Sequence, residues 1–133
     1  MSKKIINTSG KRKRAIARAV VKEGRPSVKI NNTSLSVYEP KMARFRIEEP
    51  LILAGDSINK LSISVNVKGG GITSQADAAR LAIAKALAEH NESLRQVFLD
   101  YDRQLLVADV RRKETRKPNS HGKARAKRQK SYR

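Results

Sequence analysis

The stretch Lys60–Asn91, "KLSISVNVKGGGITSQADAARLAIAKALAEHN", constrains the fold more than any other part of the chain. Leu61, Ile63, Val65 and Val67 alternate with Ser62, Ser64, Asn66 and Lys68, so one face of an extended segment is apolar and the other polar, as in a half-buried β-strand. Three glycines, Gly69 to Gly71, interrupt it. The period then changes: Ala76, Ala79, Ile83 and Leu87 form an apolar stripe at helical spacing, and their small size suits close packing on a sheet. Ser74 with Asp77 reads as a capping-box-like start for that helix. A strand, a glycine turn and a long helix imply an α+β layer arrangement.

Around this unit the pattern predicts further elements. "RAIARAVVKEGRPSVKINNTSLSVY" reads as β structure with a turn at Glu23–Pro26. Arg14, Arg18 and Lys22 share parity with Ile16 and Val20, so strict inside/outside alternation is expected to fail there. "PKMARFRIEEPLILAG" reads as a helix from Lys41, ended or kinked at Pro50, with Met42, Phe45 and Leu51 toward the core. A short helix is expected over "ESLRQVFLDYD", and "LLVAD" is the last segment with burial potential. Beyond Val110 only Ala124, Ala126 and Tyr132 are apolar, so the expected division is a body over residues 1–110 and a basic tail over 111–133, disordered away from RNA.

Charge follows the same division. The 133 residues carry a net +18, yet residues 26–110 hold ten basic and ten acidic side chains. Residues 1–25 contribute nine Lys/Arg against Glu23, and residues 111–133 eleven against Glu114. A neutral body with two basic extensions is the layout of a polyanion binder. Lys11, Arg12, Lys13, Arg14 and Arg18 cluster within "GKRKRAIAR", enough to neutralise several phosphates with steep salt dependence; a nuclear-localisation reading fits this motif as well.

Other classes find less support. There is no cysteine, and His90 and His121 have no partner at ligand or triad spacing, so neither a metal site nor a catalytic residue is assigned. The pattern G-x-x-x-x-G-K-[ST] is absent, which leaves Gly69–Gly71 either as a phosphate-contacting turn beside Lys68 or as a device for close packing. No apolar run has transmembrane length and no signal-peptide pattern opens the chain, so a soluble cytoplasmic protein without membrane, cofactor or small-molecule substrate is expected. Five aromatics and no Trp provide little stacking surface for single strands.

"GKRKRAIARAVVKEG", "VKGGGITSQADAARLAIAKAL" and the terminal "KARAKRQKSYR" together resemble the universal S-nine family of small-subunit ribosomal proteins in its archaeal/eukaryotic form. The resemblance covers the chain from about Lys4 to Arg133. It implies a mixed four-stranded sheet backed by helices, similar to the second domain of ribosomal protein five with a left-handed β-α-β crossover, plus an extended basic C-terminal tail. It implies a structural place in the head of the small subunit, on the 3′ major domain of the rRNA beside other head proteins.

Carried over residue by residue, the rRNA contacts would fall on Lys11 to Arg14, Arg18, Lys68 and Gly69 to Gly71. Along the arm they would fall on Arg111, Arg112, Lys113, Arg116 and Lys117, then on Lys123, Arg125, Lys127 and Arg128. The resemblance places a contact with the anticodon stem-loop of P-site tRNA on Lys130, Ser131, Tyr132 and Arg133. "PNSHGKARAKR" departs from many relatives, which have a richer glycine run and an aromatic in place of Arg128. Two other readings stand beside this one: a free nucleic-acid chaperone, which explains the charge but not the three motifs, and a small-molecule kinase-like enzyme, which lacks its phosphate-binding signature.

Overall fold

In the computed structural model of the protein, residues 4–111, 115, 116 and 118 are described. They form one mixed sheet with all three α-helices on one side. Strands β1 (Ile5–Arg12), β2 (Ala15–Glu23), β3 (Ser27–Ile30) and β4 (Thr33–Ser34) come first, then helix α1 (Lys41–Ala54), strand β5 (Leu61–Lys68) and helices α2 (Ile72–His90) and α3 (Ser93–Tyr101). The strand order is β1-β2-β5-β3-β4; β3 and β5 run parallel and the other neighbours antiparallel. Among the described residues there are thus five strands rather than the expected four, the fifth being the two-residue β4.

The β3–β4 turn is set by asparagine chemistry. Asn31 and Asn32 have φ of 51° and 68°, the left-handed pair that a tight hairpin needs and that asparagine tolerates. The Asn31 side chain then accepts from the Val67 N–H at 2.8 Å and donates to its carbonyl at 3.3 Å, extending the ladder to β5 by one residue.

Helix α2 packs across β1, β2 and β5, with α1 and α3 against it. The elements meet through small side chains: Ala15, Ala17 and Ala19 of β2 face Ala76, Ala78, Ala79 and Ala82 of α2, all essentially inaccessible. Gly10 of β1 marks the closest approach, since a Cβ there would stand 2.3 Å from the Ala78 carbonyl oxygen. Beside it the Thr8 hydroxyl donates to the Ala82 carbonyl at 2.7 Å. Larger residues, among them Ile47, Ile83, Leu87, Phe98 and Leu105, complete the core.

Several expectations change. β1 was not foreseen as a strand; within "KRKR" Lys11 and Arg12 end it, and Lys13 and Arg14 form the hairpin turn into β2. Alternation in β2 holds, with the alanines and Val21 inside and Ile16, Arg18, Val20 and Lys22 outside. Met42 and Phe45 are exposed, 76% and 52%, while Ala43, Ile47 and Leu51 take the core face; α1 runs through Pro50 to Ala54. Gly71, not Ser74, precedes the first turn of α2, with no side-chain cap, and α2 buries a broad surface rather than a narrow stripe. Strand β5, helix α3 and the burial of Leu105 agree with the sequence reading.

Candidate nucleic-acid interface

The two clusters that the sequence separates by some fifty positions meet at one end of the sheet. β2 pairs antiparallel with β5 so that Ile16 stands opposite Lys68, and on its other side Ile16 stands opposite Lys11. This register brings the hairpin loop Lys13–Arg14 against the glycine turn. The fit needs glycine: Gly69 and Gly70 have φ of 80° and 66°, and a Cβ on Gly69 would stand 2.6 Å from the Arg14 carbonyl oxygen. Lys13 itself has φ of 54°, a left-handed position held within a two-residue turn.

Lys11, Lys13, Arg14, Arg18 and Lys68 are all exposed, and so are Gly69 to Gly71. Among the described residues Lys11, Arg14, Arg18 and Lys68 form no ion pair, so their charge is offered to solvent or a ligand. The first turn of α2 opens beside them at Ile72, with the positive end of its dipole at the same edge.

Arg12 parts from this group. It sits on the helix side of β1, half-buried, with Asp109 Oδ2 at 3.0 Å and Asp77 Oδ2 at 3.8 Å. Asp77 is also paired with Arg46, and Arg80 bridges Glu49 at 2.6 Å and Asp102 at 3.1 Å. These acids line a cleft of about 490 Å³ between α1, α2 and the chain after α3. The Gln104 N–H first, and Arg80 after it, hold the Asp102 carboxyl below the ordinary range.

Asp109 fixes where the chain leaves the body. Its carboxylate accepts from Arg111 Nη2 at 2.7 Å and from the Arg111 backbone N–H at 2.9 Å, while Arg12 holds it to β1. Arg111, where the basic C-terminal sequence begins, therefore lies beside the basic hairpin. The Arg111 side chain, then its N–H, and then the charges of Arg111 and Arg12 hold the Asp109 carboxyl far below the ordinary range. A depressed folded pKa means a contribution present above the unfolded value near 3.8 and lost only as pH falls through the lower folded value. The expected outcome is that Asp109 still reports an ionised carboxylate at pH 3.8 by carbon-detected NMR, while Arg12→Gln raises its midpoint; half protonation at pH 3.8 in the native protein would show that this clamp does not form.

Arg111 and Arg116 are described and exposed. Arg112, Lys113, Lys117, Lys123, Arg125, Lys127, Arg128 and Lys130 to Arg133 lie outside the described residues. The sequence reading missed Lys22 and Lys29 on the open face of the sheet and the acids that engage Arg12; the alternation of Lys22 with Val21 was the available signal for the first.

The basic hairpin and the glycine turn thus converge at one edge of the sheet, and comparison with known proteins is decisive about the family. The family model described as ribosomal protein S9/S16 matches residues 10–133. The chain belongs to this ribosomal protein family. Small ribosomal subunit protein uS9 of Methanococcus maripaludis strain C7 is 49% identical over 133 residues, covering 98% of this chain and 99% of the relative. The uS9 protein of strain C5 matches to the same extent. The family match spans the hairpin, the glycine turn, the Asp109 clamp and the basic sequence beyond Arg111 together. Among the described residues of this S9-family chain, no helix is long and apolar enough to cross a membrane.

Proposed function

We propose that the protein is a structural constituent of the small ribosomal subunit in the cytoplasm, binding the 3′ major domain of the rRNA through its body and reaching P-site tRNA through its arm. Family membership supports the ribosomal role. The observation that carries the division of labour is the meeting of hairpin, glycine turn and arm root at one end of the sheet. Lys11, Lys13, Arg14, Arg18, Lys68 and the glycine turn are the body's rRNA contacts in this reading. Arg12 positions the arm through Asp109, and neighbouring head proteins are further partners.

The body extends to Val110 and has the crossover fold of the second domain of ribosomal protein five, left-handed between β3 and β5. The arm over residues 111–133 spans up to roughly 75 Å if extended, about 3.3 Å per residue. That reach is enough for it to pass between RNA helices, with Arg111 to Lys117 and Lys123 to Arg128 offsetting phosphate repulsion. The contact with the tRNA anticodon stem-loop falls on Lys130, Ser131, Tyr132 and Arg133, where a planar guanidinium can grip a phosphate with two hydrogen bonds.

Removing Lys130 to Arg133 tests the arm separately from the body. Subunits carrying the shortened protein are expected to assemble with normal rRNA content and to release P-site tRNA about tenfold faster, a change of ~1.4 kcal/mol in retention. Filter binding of labelled tRNA to purified subunits measures this. Unchanged retention would remove the tRNA role and leave the rRNA role standing.

A further inference from the structure

The three helices cover one side of the sheet, and among the described residues nothing packs on the other. Outward positions follow from the register. One row holds Lys11, Ile16 and Lys68; the next holds Ser9, Arg18 and Asn66; the third holds Asn7, Val20, Ser64, Lys29 and Ser34; the fourth holds Ile5, Lys22, Ser62 and Ser27. Five cations occupy this face, and among the described residues Lys11, Arg18, Lys22, Lys29 and Lys68 make no ion pair. Among the described residues the only acidic strand residue, Glu23, has the parity of the helix side. Lys85 of α2 adds a further charge, reaching round β1 to the Ser9 carbonyl at 3.3 Å.

The remaining side chains define the partner further. Apart from Ile5, Ile16 and Val20 they are serines and asparagines, short groups that both donate and accept, and among the described residues no strand residue is aromatic. A surface that binds single-stranded RNA by its bases presents aromatic rings for stacking, whereas double-stranded RNA is bound through phosphates and 2′-hydroxyls across its wide, shallow minor groove. Four strand spacings and six residues of rise make the face about 20 Å in each direction, a platform rather than a pocket.

We propose that the open face of the sheet seats the backbone of an RNA double helix, holding phosphates by Lys11, Arg18, Lys22, Lys29 and Lys68 and 2′-hydroxyls by Ser64 and Asn66. The proposal rests on the reading of the body as rRNA-bound and deepens it: the hairpin grips RNA at one end of the sheet, and the face carries a duplex along it.

The test uses full-length protein assembled into small subunits, with a photoreactive benzophenone amino acid in place of Asn66 at the centre of the face or, separately, in place of Lys13 in the hairpin. Sequencing the attached RNA is expected to place the Asn66 adducts in base-paired rRNA. Adducts with unpaired nucleotides, adducts with a protein, or none at all from Asn66 while Lys13 still reaches rRNA would each overturn the proposal and leave the hairpin reading intact. Loss of RNA adducts at both positions would overturn the rRNA reading itself.

A second measurement uses the free full-length protein with an RNA duplex of about 16 base pairs, a length natural to duplex-binding domains, and the DNA duplex of the same sequence. The triple variant Arg18→Gln, Lys22→Gln, Lys29→Gln is expected to lower the slope of log affinity against log salt by about 2.7, near 0.9 for each phosphate contact. Ser64→Ala with Asn66→Ala is expected to narrow the preference for RNA over DNA with the slope unchanged. An unchanged slope in the triple variant, with its melting temperature intact, would overturn the proposal.

Discussion

Replacing Gly10 by valine is expected to lower the melting temperature by about 10 °C or more, the largest single-residue effect on stability in the fold. A Cβ at this position meets the Ala78 carbonyl oxygen at 2.3 Å and the Ala82 amide nitrogen at 2.8 Å, both backbone atoms of a helix that cannot swing aside as a flexible side chain does. Helix α2 would have to lift from β1, opening the contacts of Ala78, Ala79 and Ala82 and stretching the Thr8–Ala82 hydrogen bond. Inserting bulk into a packed core costs about 1–3 kcal/mol and at times more, and valine adds three carbons where none fits. At about 4–8 °C per kcal/mol for a body of this size, a loss near 2–3 kcal/mol corresponds to the stated shift. Thermal unfolding followed by circular dichroism measures it. A shift below 2 °C would mean that α2 does not lie this close to β1.

That contact also marks where sequence reasoning reaches its end. β5 was legible because each large apolar residue alternates with a polar one, and local pattern and tertiary environment agree. β1 was not, because "IINTSGKR" is rich in residues that favour turns; it is a strand because β2 pairs with it and α2 presses on Gly10 and Thr8. In β2 strict alternation was expected to fail, because Ile16 and Val20 share parity with Arg14, Arg18 and Lys22, yet the strand alternates. Its interior side chains are mostly alanines, which carry little hydrophobic signal, while Ile16 and Val20 face outward. In α1 Met42 and Phe45 were expected in the core and are exposed, since size was taken for burial.

The candidate site was legible as parts and not as an arrangement. The basic cluster and the glycine turn stand out locally, but their contact depends on the pairing of Ile16 with Lys68, a non-local register that no local period encodes. The glycine turn had two readings, phosphate contact or close packing. The geometry demonstrates the second, at Arg14, and by packing closely the turn carries Lys68 to the hairpin. Arg12 looked like its neighbours in sequence, yet strand parity turns it to the helix side, where Asp109 and Asp77 meet it.

Converting Lys11, Lys13, Arg14 and Lys68 together to glutamine is expected to weaken binding to a head-domain rRNA fragment about a thousandfold at 0.1 M salt, the largest expected effect on function. Each phosphate contact contributes about 0.9 to the salt slope, so four contacts account for up to ~3.6 powers of ten at that concentration. The slope itself is therefore expected to fall by about 3.6 with no change in melting temperature, since all four side chains are exposed and no core residue is touched. Four arm residues, Lys123, Arg125, Lys127 and Arg128, changed in the same way give a control with equal loss of charge. If the salt slope and affinity fell equally in both sets, binding would follow net charge alone, and the free polycation reading would replace the hairpin site. A larger loss from the hairpin set would show that the fold adds to the charge, because Gly69 and Gly70 fix Lys68 beside the Lys13–Arg14 turn before RNA arrives.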